Sequence, residues 1–401
     1  MTYRVSITTP CWHLNGVNTV SASLLRGLTS LGVPGEILLT DTTPRGLEVF
    51  PPPEDIPFRR LPAHRRIRAH LKALARDLAS NTPTVYLPGY DYRHSGVSPI
   101  LPDSVVIVGV VHGDDPLHFD HVARLGRYWN AVVCVSRLIE RRIHERFPEL
   151  AERTLTIHNG VDLPSSAPAP RQRDDATLRI AWAGRVVREG KRAMDIPRLL
   201  DCLEKLGTPV CLTVAGDGDC LPDIRLEAAR HIAAGRLRLL GAVSNASVHA
   251  LFEQSDLFLL TSDRNEGLPI SMLEAMARGC VPIVTDIESG VPEVVRHENN
   301  GLILPAGDMP RFAKEIAALA AAPQRLADLS AEAIRTVHHG AFNTRAMARA
   351  YKDLFDRLVA EAARGAFHRP AGSMQLPWRP TLRDRLSLLY RRFVPRPQKP
   401  A

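Results

Sequence analysis

Between Thr261 and Glu274 the chain reads T-S-D-R-N-E-G-L-P-I-S-M-L-E: the end of an apolar strand, a polar turn and the start of a helix. Glu266 precedes Gly267, Leu268 and Pro269, and Glu274 lies about two turns inside a helix whose pattern runs to about Arg278 and stops at Gly279. Proline in a first helical turn is a regular start, and the unpaired N–H groups there attract an anion. A rise of ~1.5 Å per residue places the two carboxylates no more than about 12 Å apart. They therefore flank one anion site. A diphosphate at the helix end, with a sugar on one side and a ribose on the other, would offer hydroxyls to both. Taken alone, two glutamates at this spacing are solvated surface acids; the strand before them and the glycine turn between them give the pair its meaning.

A turn of this kind needs a sheet behind it. Strand patterns occur at Tyr3 to Thr8, Ile37 to Leu39, Val85 to Leu87, Val105 to Val111, Ala131 to Val135 and Thr154 to Ile157, with a 3.6-period helix through Val20, Leu24, Leu28 and Leu31. The run VVIVGVV is apolar on both faces, as in a parallel strand covered by helices on two sides. A second series follows at Leu178 to Ala183, Val210 to Ala215, Leu237 to Leu240, Leu257 to Thr261 and Val281 to Thr285. Helices are expected at Met309 to Ala320, Pro323 to His338 and Thr344 to Ala363. Residues 164–177, P-S-S-A-P-A-P-R-Q-R-D-D-A-T, lack apolar periodicity and read as a linker. The expected architecture is α/β: two Rossmann-like doubly wound domains, 1–163 and 178–340, facing a cleft. A helix at 341–363 then crosses back or stands apart, and a basic Pro/Arg-rich tail occupies 364–401. Ligands of such sheets bind outside the carboxyl ends of the strands.

With 401 residues, 45% apolar and 23% charged, the chain has the composition of a globular protein of two or three domains. Its net charge of +8 is not spread evenly. From Arg364 onward there are nine basic residues and one acid, Asp384, which leaves the preceding body neutral. Nucleic-acid binding by the body is therefore not implied. Six cysteines without a C-x-x-C pair exclude a zinc ribbon and a dithiol redox site, and Cys134 and Cys280 read as core residues. With no apolar leader and no span of ~20 apolar residues, a cytoplasmic location is expected.

Several further motifs stand in order along the chain: N-G-V (Asn15 to Val17), His112 in V-V-H-G-D-D, S-R (Ser136, Arg137), N-G-V-D (Asn159 to Asp162) and A-G-R-V-V-R-E-G-K-R (Ala183 to Arg192). After E-x7-E at Glu266 and Glu274 come G-C-V-P-I-V-T-D-I-E-S-G-V-P-E-V-V (Gly279 to Val295) and N-G-L-I-L-P-A-G-D (Asn300 to Asp308). In these, over roughly residues 3 to 310, the sequence resembles the retaining glycosyltransferases of family 4, which have the GT-B fold. The resemblance implies a UDP- or GDP-sugar donor and a saccharide or lipid-linked acceptor, with no cofactor and no metal. It also implies roles. Arg185 and Lys191 grip the diphosphate, Glu274 binds the ribose, and Glu266, a catalytic residue with His112, binds the transferred sugar. Backbone of Gly16 and of Gly267, Leu268 and Pro269 lines phosphates and sugar. Retention is expected through a front-face, oxocarbenium-like displacement in which the leaving phosphate helps remove the acceptor proton. One departure stands out: the family commonly places Lys five residues after Arg, followed by Gly, whereas Lys191 lies six after Arg185, with Arg192 as an alternative cation.

Other features have plainer readings. Asp217-Gly218-Asp219 follows a strand where a βα turn is expected, and reads as that turn and not as a metal-binding D-x-D. Asp114 and Asp115 shape the loop after His112. Glu293 reads as a helix N-terminal acid. Arg59 to Arg76 carries seven Arg/Lys and no acid, with Ile67, Leu71 and Leu74 on one side of a helix. In the tail, Leu382, Leu386, Leu389 and Phe393 follow Trp378 at i, i+4, i+7 and i+11. Both segments could lie on an anionic membrane surface, making the enzyme peripheral on its inner face. The rival readings are a GT-B nucleotide-sugar epimerase or phosphorylase, and a non-catalytic membrane-surface scaffold.

Overall fold

The computed structural model describes residues 2–13, 15–40, 51–62, 64–80, 83–89, 91–166, 168, 177–264 and 266–376. Seven parallel strands form the first sheet: β1 (Arg4–Thr9), β2 (Gly35–Leu39), β3 (Phe58–Arg60), β4 (Thr84–Leu87), β5 (Val105–Val111), β6 (Ala131–Cys134) and β7 (Thr154–Thr156), in the order β3-β2-β1-β4-β5-β6-β7. Helices α1 (Gly16–Ser30), α2 (Ile67–Ala79), α3 (Pro116–Leu125) and α4 (Arg137–Arg146) connect them. A second parallel sheet contains β8 (Leu178–Ala183), β9 (Val210–Ala215), β10 (Leu237–Gly241), β11 (Leu257–Leu260), β12 (Val281–Asp286) and β13 (Leu302–Pro305), in the order β10-β9-β8-β11-β12-β13. Its helices are α5 (Asp195–Lys205), α6 (Leu221–Glu227), α7 (Ala229–Ala233), α8 (Asn245–Glu253), α9 (Ile270–Ala277), α10 (Met309–Ala321) and α11 (Pro323–His339). Strand order reverses between β1 and β4 in one sheet and between β8 and β11 in the other, so the loops after β1, β8 and β11 open at switch points.

Helix α12 (Thr344–Ala363) returns to the first domain. Its first turn hydrogen-bonds Val161 (Thr344 N to Val161 O, 3.0 Å), and Thr344 Oγ1 donates to Asp162 at 2.6 Å. Gly27 of α1 lets the two helices touch: a Cβ there would lie 2.5 Å from that of Ala348. Tyr3 Oη reaches Asp356 at 2.9 Å, and Tyr351 and Phe355 are buried. Residues 364–376 then continue across the same domain as a strap. The Arg369 guanidinium, 3% exposed, donates to the carbonyls of Leu101, Pro102, Val105 and Tyr128 at 2.7–3.0 Å and to Asn130 Oδ1 at 3.3 Å, with Asp103 alongside. Burial lowers its pKa to about 10 against the pull of Asp103. Gln375 N closes the strap on Gly96 O at 2.9 Å. The first part of the expected basic tail, residues 364–376, is therefore bound to the first domain. Residues 377–401, with the Trp378 to Phe393 pattern, lie outside the described residues, as does most of the 164–177 linker.

The basic segment differs from the expected membrane-facing role. Arg59 lies in β3, ahead of the helix, and is bound by Glu36 and Asp77. The predicted helix forms as α2, but Leu71, Leu74 and Leu78 are fully buried and Ile67 packs on the same core. Its apolar face is committed to the domain interior and cannot enter a bilayer. Strands β3 and β13 were not anticipated; both are short and lie at sheet edges.

Candidate active site

Two helix N-termini meet across the cleft. Helix α1 begins at Gly16 after Asn15, whose side chain caps Asn18 N at 2.7 Å, and α9 begins at Ile270 after Pro269. A Cβ on Gly16 would touch Ile270 Cγ1 at 3.4 Å, so the first turn of one helix rests on the first turn of the other. Both present free N–H groups and the positive end of a dipole to the same space.

The turn before α9 is held on all sides. Glu266, 7% exposed, accepts from Ser262 Oγ and from Lys191 Nζ, both at 2.5 Å and both on Oε1. Thr261 Oγ1 donates to Lys191 O at 2.7 Å while accepting from Trp182 Nε1, and Asp263 N donates to Gly190 O at 2.9 Å. The loop after β8 is thus stitched to the loop after β11. Arg192 adopts φ 48°, a left-handed conformation in which glycine is at ease. The Arg192 guanidinium is bound to Asp195 at 2.6 Å and faces Asp263 at 3.7 Å, whereas Lys191 reaches into the turn and meets Glu266. Arg185 is exposed in the same loop, and among the described residues no carboxylate pairs with it. Lys191 donates one of its three N–H bonds to Glu266.

Glu274, 8% exposed, lies just over one turn into α9, nearer the helix start than the expected two turns, because the helix begins only at Ile270. His249 of α8 reaches its Oε1 at 3.1 Å, and Arg278 donates to its carbonyl. Backbone contacts seat Gly267 against the first domain. A Cβ there would stand 2.2 Å from His112 O, and Gly290 N donates to Gly267 O at 2.9 Å. Leu268 O accepts from Asn159 Nδ2 at 3.3 Å. His112 thus ends β5 at the cleft, next to the turn; burial, aided by His118, lowers its pKa to about 3 and keeps the imidazole neutral. Asp115 caps α3 and binds His118, Asp114 pairs with Arg142, and Asp217 Oδ1 accepts from Gly218 N, all within their own loops or neighbours.

Glu293 does more than its sequence context suggested. From the second domain it accepts from Arg137 N (3.1 Å) and Leu138 N (3.3 Å) at the start of α4, and from His158 Nε2 at 2.8 Å, all in the first domain. Ser136 caps Ile139 N of the same helix. The bonds to His158 and these amides hold the Glu293 carboxyl below its ordinary range despite burial. Arg142 adds a second cross-domain pair, to Glu288 at 2.7 Å. Neither Glu293 nor His249 could be placed from sequence, since their partners are distant in the chain and carry no spacing signal.

Comparison with known proteins decides the family. The family model for glycosyl transferases group 1 matches residues 171–336, and that for glycosyltransferase family 4 matches residues 14–164. The chain is a family 4, group 1 glycosyltransferase by descent. Among its family relatives, the amylovoran biosynthesis glycosyltransferase AmsK of Erwinia amylovora is 30% identical over 106 residues, 25% of this chain and 26% of that one. The phosphatidyl-myo-inositol mannosyltransferase of Mycobacterium leprae is 27% identical over 177 residues, 42% of this chain and 45% of the relative. The chain thus matches about a quarter and a little under half of the length of these two relatives. Two solved structures share the fold over nearly the whole length. Anabaena Alr3699/HepE, solved with UDP and glucose, superposes with TM-score 0.72 at 15% identity, covering 88% of this chain and 99% of that one. The pneumococcal O-GlcNAc transferase GtfA, solved with UDP and GlcNAc, gives 0.70 at 12%, with 89% and 99% covered. The fold is GT-B.

Proposed function

We propose that the chain transfers a hexosyl unit from a nucleoside-diphosphate sugar, UDP or GDP, to a saccharide or lipid-linked acceptor in polysaccharide assembly, with retention and with no cofactor beyond the donor. The observation that carries this reading is the cluster of Glu266, Lys191 and Ser262 in the turn where the N-termini of α1 and α9 face each other. Catalysis by departure of a nucleoside diphosphate needs positive charge where negative charge develops. Arg185, the remaining N–H donors of Lys191 and the two helix ends provide it. Glu274, with Oε1 held by His249, keeps Oε2 for the ribose; Glu266 binds sugar hydroxyls from its buried seat. Neutral His112 can donate to or accept from the sugar without adding charge.

In this reading the bond between the anomeric carbon and the phosphate oxygen breaks while an acceptor hydroxyl attacks the same face. The hydroxyl proton passes to the leaving diphosphate, whose charge the cations hold. The first domain supplies the acceptor side, and the relatives' polysaccharide and lipid names are in keeping with an acceptor of those classes. A panel of nucleotide sugars, scored by nucleoside diphosphate release with a mixed saccharide acceptor, tests the assignment. Release with one donor, lost in Glu266→Gln and Arg185→Ala, is the expected result; no response to any donor, or full activity in both variants, refutes it.

A further inference from the structure

Of the two acids that follow His112, only one is committed to its own loop. Asp115 caps α3: Oδ1 accepts from Leu117 N and His118 N at 2.9 and 3.2 Å, and Oδ2 meets His118 Nδ1 at 2.8 Å. Asp114 is placed differently. Its side chain is 8% exposed and Oδ2 accepts from Arg142 Nη1, while Oδ1 is buried and has no hydrogen-bond partner among the described residues. A buried carboxylate oxygen left bare is costly, and in native proteins such a group is met by a ligand or a water. Asp114 follows His112 by two residues, within ~7 Å along the chain, at the carboxyl end of β5 where ligands of doubly wound sheets bind.

Arg142 explains why that oxygen is bare. An arginine alone with a carboxylate commonly takes both oxygens through two parallel N–H bonds. Here the guanidinium is divided: Nη1 goes to Asp114 of the first domain and Nη2 to Glu288 Oε2 of the second, at 2.7 Å. Glu288 follows β12 in the segment whose Gly290 N donates to Gly267 O, and a Cβ on Gly267 would stand 2.2 Å from His112 O. One segment of the second domain thus reaches the loop of His112 twice, through the backbone of Gly267 and through Arg142. The second route holds an amino group of Arg142 away from Asp114 Oδ1 where the domains meet.

We propose that Asp114 Oδ1 receives a hydroxyl of the acceptor, and that the sharing of Arg142 with Glu288 keeps this oxygen free for it when the domains are together. On the transferase reading above, on which this assignment rests, the acceptor is then a neutral sugar with a free hydroxyl, carried on a small aglycone or on a lipid. A carboxylate paired with a guanidinium accepts hydrogen bonds and donates none, so it selects an O–H. A phosphate or a uronate carboxylate at the same point would meet like charge. A site built to bond a hydroxyl also rejects an analogue without one, because its own polar group is then left unpaired.

The assay is nucleoside diphosphate release from the donor that the full chain uses, with three sets of acceptor probes. These are methyl glycosides of glucose, galactose and mannose, octyl glycosides of the same sugars, and methyl glucuronide with glucose 1-phosphate as the anionic set. Neutral glycosides should stimulate release and the anionic set should not, and the methyl and octyl arms separate a free sugar from a lipid-carried one. Asp114→Asn should raise the KM for the stimulating glycoside at least about tenfold, with the donor KM within about twofold. Glu288→Gln changes a side chain that is 69% exposed and has no share in the core. It should still raise the acceptor KM about threefold, because Arg142 Nη2 can then turn to Oδ1, and the double variant should do no more than Asp114→Asn alone. An unchanged acceptor KM in both variants, or stimulation of the wild-type chain by no neutral glycoside, overturns the assignment and leaves the transferase reading in place. Neither release nor a donor-dependent rise in melting temperature with any nucleotide sugar overturns both.

Discussion

Substitution of Glu293 tests whether the cross-domain contacts serve turnover. In the structure this carboxylate completes the N-terminus of α4 from the opposite domain and binds His158, with both side chains less than a fifth exposed. A capping carboxylate contributes ~1 kcal/mol and a largely buried His–carboxylate contact about as much again. Glu293→Ala is therefore expected to weaken the domain contact by about 2 kcal/mol, a factor of roughly 30 in its equilibrium constant. Glu293→Gln keeps one acceptor oxygen and should lose about half of that free energy, roughly fivefold. Because the same short turn donates Gly290 N to Gly267 O, loosening it also releases the Glu266 turn. The measurement is kcat/KM for the donor, with the melting temperature recorded beside it. The pH dependence gives a second readout. The carboxyl pKa is depressed in the joined arrangement, so its contribution is complete above the ordinary glutamate value of about 4.3 and is lost as pH falls through the depressed one. The wild-type acid limb should include this loss and the Glu293→Gln limb should not. If both variants keep kcat/KM within twofold of wild type, with unchanged acid limbs, the contact has no part in turnover and the reasoning fails.

Three further outcomes can be checked. Gly267→Ala forces a Cβ against the His112 carbonyl, a backbone atom that cannot swing away, so turnover should fall more than about a hundredfold while circular dichroism shows an intact fold. His249→Ala frees Glu274 Oε1 and should raise the donor KM by roughly five- to tenfold with kcat within about twofold; a kcat loss of equal size would contradict a ribose-positioning role. Arg369→Ala strips the bonds from four carbonyls and should cost about 3 kcal/mol, lowering the melting temperature by roughly 6 to 12 °C, and a drop under 2 °C would show that water replaces the guanidinium at no cost.

The two sheets were legible in the sequence because parallel strands covered on both faces are written as short, wholly apolar runs, VVIVGVV most clearly, and because each is followed by a helical period. The turn before α9 was legible too, since Glu266, Gly267 and Glu274 are close in sequence. What was hidden depended on partners far along the chain. Nothing near Glu293 shows that its oxygens will face amides 155 residues earlier, and nothing around Arg369 shows that loop carbonyls before β5 need a donor. The amphipathic period of α2 was read correctly, but period alone cannot tell a helix that faces a domain core from one that faces lipid. The partners of Arg192 were equally hidden: the letters E-G-K-R do not show that its guanidinium turns to Asp195 and Asp263 while Lys191 turns to Glu266.

The return of α12 and the strap to the first sheet has a consequence for how the protein is made. The first domain is assembled from residues before Val161 and residues after Asn343, while the second lies wholly between them. A chain emerging in order from its N-terminus can finish the second domain first, leaving the seven-stranded sheet with α1 uncovered and the carbonyls of Leu101, Pro102 and Val105 unmet until residues 344–376 have been synthesised. Completion of the second domain thus precedes completion of the first, and any truncation within α12 or the strap would be felt not where the chain is cut but at its beginning.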